Sequence, residues 1–422
     1  MESVKRNILK DPQIRKFSLY GFLKDLRFFE PYLLIYLIGL GYDLFTIGVL
    51  IAIREAIVYV FEVPSGVIAD HYGKKRELML CFLFYIVSFV FFFIGSNLYM
   101  IGLGMVFFGL GEAFRSGSHK AMILSYLEQK GWFDHKTFVY GRTRSFSMLG
   151  GALSSFLSII LILNLPSTRW IFLISIVPYL LDFALIASYP DSLDERSDRV
   201  FKFKSLIAET YEHIVRIIKD PNLTKILISS SMYDAIFKSI RDYIQPILKM
   251  MLMTSTTLCF FKQAAVSQED QLTILLGVLY GVFYIFSAWV SKNAYLLNRW
   301  MPSSRLMSLS FDLMAVMILA LGLLVMKQYV LGIVLIFFLL NAMKDARRPV
   351  FVDVCGDVMK KDQRATVLSV DSQFKALFVI VLAPLFGWIA DHYSIGILFV
   401  GISVFIIVIN RMLKIHQPKA HK

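Results

Sequence analysis

The sequence predicts an all-α integral membrane protein: twelve transmembrane helices in two six-helix bundles that repeat one another. Three observations carry this. Residues are 57% hydrophobic and only 18% charged, whereas soluble domains carry about a quarter charged residues. Apolar runs recur at the length of about 20 residues that a bilayer demands, over 17–41, 44–70, 78–95, 98–127, 139–163, 169–189, 223–254, 272–296, 305–326, 329–358, 364–391 and 394–413. The third observation is an echo between the halves. Arg27-Phe-Phe-Glu-Pro31 in span one answers Asp242-Tyr-Ile-Gln-Pro246 in span seven. FFGLGEAFRSG from Phe107 answers FFLLNAMKDAR from Phe337, and Gly141-Arg142-Thr143 answers Gln363-Arg364-Ala365-Thr366. Their common order and spacing describe two parallel repeats.

The chain divides into a basic tail (1–16), a first bundle (17–189), a linker (190–222), a second bundle (223–413) and a short tail (414–422). The linker carries KFKSLIAETYEHIVRIIKD, whose apolar residues suit an amphipathic helix on the membrane surface or a solvated connecting helix. The net charge of +13 does not mark a nucleic-acid binder. With the N-terminus inside, about 25 Lys and Arg fall on inner segments and about three (Arg169, Lys262, Lys327) on outer loops, the positive-inside bias. Both termini are therefore expected in the cytoplasm, with the protein in the inner (plasma) membrane. Span one is too long and too charged for a cleaved signal peptide. Three cysteines make no disulfide framework: Cys81 and Cys355 fall in spans and Cys259 stands alone.

Charge inside the spans follows a period of three. Spans one, four, seven and ten are densest: Lys24, Asp25, Arg27, Glu30; Glu112, Arg115; Asp234, Lys238, Arg241, Asp242; Lys344, Asp345, Arg347, Arg348, Asp353. Spans three, six, nine and twelve carry almost none, Asp182 and Asp312 excepted. A charge at bilayer depth costs about 2.5–3.5 kcal/mol on insertion scales, so these side chains face protein or water. The first helix of each three-helix unit then lines a central wet cavity, and the third faces lipid.

The segment Glu62–Leu78 (EVPSGVIADHYGKKREL) joins spans two and three: Gly66, Asp70, Gly73, then Lys74, Lys75 and Arg76. Gly at a helix end admits a neighbouring backbone, Asp can cap a facing helix, and the cations fix the turn on the inner side. This pattern resembles the loop between helices 2 and 3 of the major facilitator superfamily (MFS), in a form similar to its bacterial exporter-like branch. The resemblance implies the MFS fold, alternating access, and a conformational latch at Gly66, Asp70, Gly73, Lys75 and Arg76. It is uneven elsewhere. Drug antiporters of the family place an Arg where this chain has Met105. Their helix 5 pattern begins well at Gly141 and Gly150, then stops at Ser154 with no Pro following. The string Ile389–Tyr393 repeats Ile68–Tyr72 by letter, at the opposite membrane face, and is read as coincidence.

No phosphate-binding loop, nucleophile elbow or metal-ligand cluster appears, so the sequence speaks for neither an ATP-driven pump nor an enzyme, and for no cofactor or metal. What remains is secondary transport of a small organic solute by a monomer. Proton coupling needs a buried carboxylate with a cation nearby; Asp25, Glu30, Glu55, Glu112 and Asp234 qualify, although a permanent ion pair explains any one of them. Solute contacts fall to Arg27, Arg115, Lys238, Arg241 and Lys344, walled by Tyr20, Phe28, Tyr233 and Tyr243. Cations suit a carboxylate, phosphate or sulfonate, while the matching acids also admit a zwitterion. The reading is proton-coupled export; import of an anionic or zwitterionic metabolite, or movement of a lipid, are the alternatives.

Overall fold

The computed structural model describes residues 2–115, 117–194, 221–254, 267–293, 301–358 and 364–413. The linker beyond residue 194, Cys259 and the last tail lie outside them. Among the described residues all regular structure is helical: α1 Glu2–Lys10, α2 Pro12–Lys24, α3 Leu33–Gly39, α4 Leu44–Tyr72, α5 Lys74–Ile94, α6 Leu98–Phe114, α7 Ser118–Gln129, α8 Lys136–Asn164 and α9 Trp170–Ala187. The second half follows with α10 Pro221–Ile240, α11 Ile244–Thr254, α12 Gln268–Asn293, α13 Ser303–Met326, α14 Val330–Val358, α15 Arg364–His392 and α16 Ile395–Met412.

Every predicted span is occupied by helix, and nine described spans are long and apolar enough to cross a membrane. The three others are instructive, for they are charge-rich spans one, seven and ten. Span one is interrupted between α2 and α3, with a single 3-10 turn at Glu30–Tyr32. Span seven breaks the same way at Arg241–Tyr243. The echo between Arg27–Pro31 and Asp242–Pro246 is thus an echo of two helix breaks, each beside a proline that has no N–H for the helical ladder. Span ten is one unbroken helix, α14, carrying Lys344, Asp345, Arg347 and Arg348. Span four also breaks, at Gly117, whose φ of +90° suits a residue without Cβ.

Local chemistry fixes several starts. Asp11 accepts from the N–H groups of Gln13 and Ile14 at 2.9 and 3.0 Å, with Pro12 in the first turn of α2. Asn97 caps α6 and Ser394 caps α16 in the same manner. The first 16 residues, expected as a tail, form α1 and the start of α2, and Ile8 and Ile14 are fully buried.

The chain forms two compact units. The first holds the described residues within Met1–Tyr36, Ile53–Phe201 and Ala265–Ile285; the second those within Leu37–Ala52, Lys202–Ala264 and Phe286–Lys422. Each unit therefore takes one helix segment from the other half of the sequence. Glycines explain why. In the first unit, a Cβ on Gly277 or Gly281 of α12 would meet Ile159 at 2.3 Å or Phe156 at 2.6 Å on α8. In the second, a Cβ on Gly48 of α4 would meet the Ala383 carbonyl oxygen of α15 at 2.4 Å, and one on Gly387 would meet that of Leu44 at 2.2 Å. These helices touch backbone to backbone, or backbone to ring, as small residues in membrane helices permit.

The first unit's core is aromatic: Phe82, Tyr85 and Phe89 of α5 pack around Tyr179 of α9, and Phe172 meets Phe29 and Phe92. One cluster of the second is mostly aliphatic, with Leu223, Ile226 and Leu227 of α10 against Val350, Val354, Val367 and Val370. Exposed apolar side chains sit on α5, α9, α13 and α16, including Leu83, Val90, Leu180, Leu181, Val316, Leu323, Val404 and Val408, and on α8, α12, α14 and α15 as well, including Ile160, Trp289, Leu335 and Val381. The third helices of the period are therefore not alone in having an apolar outer face, which is what lipid requires.

Candidate functional site

The helix breaks of the first unit bring its charges together. Asp25 caps the end of α2, and Arg115 caps the end of α6. Between them stands Glu112, one turn before the α6 break. Glu112 receives Arg27 at 3.3 Å and Arg115 at 2.8 Å, and the Tyr85 hydroxyl donates to it at 2.7 Å. Arg115 Nε also donates to Tyr85 Oη at 3.2 Å. Asp25 holds Lys24 at 3.1 Å and Arg27 Nε at 3.8 Å. Five charged side chains thus share one network, three cations against two carboxylates. Each is only partly exposed, at 18–26% of the side chain, so their mutual attraction is stronger than on an open surface. Cations gathered at a broken helix suit an anionic group, for solute sites in transporters are typically formed by discontinuous helices.

Of the other predicted residues of this unit, Glu30 and Tyr20 border that network, close enough to act on Arg27 and Arg115 respectively. Glu30 accepts from the Tyr284 hydroxyl on α12. Glu55, 2% exposed, pairs with its neighbour Arg54 at 3.0 Å. Tyr20 is 2% exposed and stacks on His119, ring centroids 3.6 Å apart, so in this conformation it packs the interior. Phe28 is buried beside an apolar groove of about 320 Å³ lined by Leu26, Leu157, Ile174 and Pro178 among others.

In the second unit, Arg241 pairs with Asp242 at 3.0 Å and Lys344 with Asp345 at 3.1 Å. Lys238 is exposed, Asp234 is half-buried, and Tyr243 is buried. Tyr233 is fully buried, with the Arg347 guanidinium 4.1 Å from its ring centroid. Arg347 itself is 4% exposed and donates to Ser310 Oγ at 3.0 Å and to the Ser229 carbonyl at 3.3 Å. Asp371 accepts from Ser231 at 2.9 Å.

The latch residues are at the junction of α4 and α5. Gly73 has φ +102°, and a Cβ there would strike the Asp194 carboxylate, which accepts from the Lys75 N–H at 2.9 Å. Lys75 Nζ reaches the Tyr189 carbonyl at 2.8 Å and Asp191 at 3.0 Å. Arg76 and Asp70 are exposed, and Gly66 has open space around it.

Several side chains in these clusters have no signal in the sequence patterns. Tyr85 lies in a span with no charge among its central residues, Arg347 is one of four charges crowded on α14, and Asp371 sits near the start of α15. A mid-span acid or tyrosine facing a charged span is the only clue, and it becomes specific only once the helices are placed.

Comparison with known proteins places the whole arrangement. The sequence pattern of the Major Facilitator Superfamily matches residues 25–370. An uncharacterized MFS-type transporter of Bacillus subtilis (strain 168), YxaM, is 25% identical over 383 residues, covering 90% of this chain and 89% of the relative. Among solved structures, the nucleoside transporter NupG superposes with a TM-score of 0.78 at 10% identity, covering 96% of this chain and 98% of that one. A POT family transporter in complex with 5-aminolevulinic acid gives 0.68 at 15% identity, covering 97% and 95%. A peptide transporter POT in complex with sulfate gives 0.68 at 13%, covering 95% and 93%. At such identities the structures speak for the fold, while the pattern match over most of the chain speaks for the family. This multi-pass membrane protein belongs to the Major Facilitator Superfamily of transporters.

Proposed function

We propose that the chain moves a small anionic or zwitterionic organic solute across the inner (plasma) membrane by alternating access of its two six-helix halves, coupled to protons. The observation that supports this reading is the network of Lys24, Asp25, Arg27, Glu112 and Arg115, which gathers three cations at two helix breaks. A solute carboxylate or phosphate would accept from Arg27 or Arg115, which present planar paired donors. It would compete with Glu112 for them, and a proton taken up by Glu112 would release both. The solute anion and the Glu112 carboxylate thereby take turns on the same arginines, with Glu112 protonated while the solute is bound. In the second unit Lys238, Arg241 and Lys344 are further candidate solute contacts. Both termini are assigned to the cytoplasm from the charge bias of the loops, and export from the resemblance of Glu62–Leu78 to the exporter-like branch. The latch residues Gly66, Asp70, Gly73, Lys75 and Arg76 would hold the second conformation of the cycle.

Proteoliposomes with a pH-sensitive dye inside, challenged with anionic, zwitterionic and cationic solutes, test the reading. The expected result is a dye response to an anionic or zwitterionic class that Glu112→Gln abolishes. Response to cations alone would overturn the solute class, and solute uptake with no dye response would overturn proton coupling. Inverted against right-side-out vesicles fix the direction.

A further inference from the structure

Asp182, the lone acid of span six, is enclosed in a way that no other described acid is. It lies on α9 four residues after Pro178 and is 0% exposed. Neither carboxylate oxygen has a hydrogen-bond partner among the described residues. The hydroxyl of Tyr20, on α2, is likewise buried without a partner, and the two groups feel one another electrostatically. The charges acting on Asp182 are Lys24 and Asp25, at the end of α2. From α5 the titratable neighbour is Cys81, whose thiol donates to the Gly111 carbonyl at 3.2 Å; from beyond α9 it is Tyr189. The other elements packed on α9 bring no further charge to bear on it among the described residues. Lys24 is engaged with Asp25 at 3.1 Å, and Tyr179, one turn before Asp182, donates to the Lys24 carbonyl at 3.4 Å.

An ionised carboxylate enclosed among apolar side chains, without a donor to either oxygen, is strongly disfavoured, and such a group neutralises instead. We propose that Asp182 is a proton-binding site: its carboxyl is neutral in this conformation and ionises when Lys24 leaves Asp25 and pairs with it. In that step the carboxyl O–H bond breaks, the proton passes to water, and the Lys24 ammonium balances the new carboxylate. Asp25, losing Lys24, keeps Arg27. The α2 break is where such a swap is mechanically cheap, since Lys24 is on the last turn of α2 and Asp25 is its cap. The assignment of this proton to the transport cycle rests on the proton-coupled reading above, whereas the neutral carboxyl does not.

Two measurements separate these parts. Infrared spectra of the full-length protein in liposomes at neutral pH are compared between wild type and Asp182→Asn. The expected difference is a protonated-carboxyl C=O band present in wild type and absent from the variant. A lost carboxylate band instead, or no difference, overturns the proposal. Solute-evoked proton flux is then measured in the same liposomes. Asp182→Asn is expected to lose it and Asp182→Glu, which keeps an acid on the same turn, to regain part of it. Undiminished flux in Asp182→Asn overturns a role in the cycle. Absence of flux in wild type would instead count against the proton-coupled reading and leave the infrared result to decide the carboxyl's state.

Discussion

Residues 66–72 read GVIADHY and residues 387–393 read GWIADHY; the two copies lie at opposite ends of α4 and behave differently. At the first, nothing lies within 4 Å of where a Gly66 Cβ would be, and Asp70 is exposed. At the second, Gly387 lies against the backbone of Leu44, and Asp391 accepts from the N–H groups of Leu44 at 3.2 Å and Phe45 at 2.7 Å. It is a cap supplied by another helix, satisfying donors that α4 cannot satisfy itself and placing a negative charge at the positive end of its dipole. Two near-identical strings, alike by coincidence, are therefore docked in one place and undocked in the other. The letters specify what the segment can grip; the partner's position decides whether it does.

The comparison is broken or sharpened most directly at the glycines. Gly387→Ala puts a Cβ 2.2 Å from a carbonyl oxygen, an overpacking expected to cost about 1–3 kcal/mol. Gly66→Ala meets nothing and gains helix propensity of up to about 1 kcal/mol. Thermal unfolding in detergent should therefore move in opposite directions for the two variants. Equal losses would mean that the first copy is docked as well. Next come the aspartates. Asp391→Ala removes a cap worth about 0.5–2 kcal/mol, while Asp70→Ala should stay within about 0.5 kcal/mol of wild type, as exposed sites do. A cysteine at Phe45 should also become more reactive to a water-soluble maleimide in Asp391→Ala and not in Asp70→Ala. Smaller still is Asp194→Ala, which uncaps the Lys75 N–H at the junction after the first copy and should cost about 1 kcal/mol; no effect would show that junction to be held by Lys75 Nζ alone.

The smallest effect is one of pH. Asp43, in the turn before α4, accepts from the Thr46 N–H at 2.9 Å, and its bonds with Thr46 hold its carboxyl below the usual range. Because the folded value is depressed, this contribution is present above the ordinary carboxylate range and fades as pH falls through the depressed value. Asp43→Asn should flatten that acid limb slightly in unfolding curves taken across pH. If the limb is unchanged, Asp391 alone holds the start of α4.

Much of this architecture is legible in the sequence because bilayer thickness dictates the length of each apolar run, whatever its neighbours do. Span two was expected over 44–70 and is 44–72; span twelve was expected over 394–413 and is 395–412. The gathering of charge in spans one, four, seven and ten is legible for the same reason, since an unpaired charge in lipid is costly wherever it falls. The breaks are harder. Span four is read as one helix through Gly117, whose positive φ separates α6 from α7. The site is harder again. Glu112 and Arg115 stand out as charges, yet Tyr85, which bonds to both, is one aromatic in an aromatic-rich span. Its role depends on the angle between two helices, which no local pattern encodes. The amphipathic segment expected after residue 200 lies outside the described residues.

The close approach of α4 and α15 at Gly48 and Gly387 has a kinetic consequence. A fastening made of main chain against main chain contains no interlocked rotamers, so parting it requires no side chain to climb out of its well and re-forming it freezes none. Such a seam can be opened and shut repeatedly with little friction, and the grip that it lacks is supplied by one ionic clasp, Asp391, that can be let go in a single event.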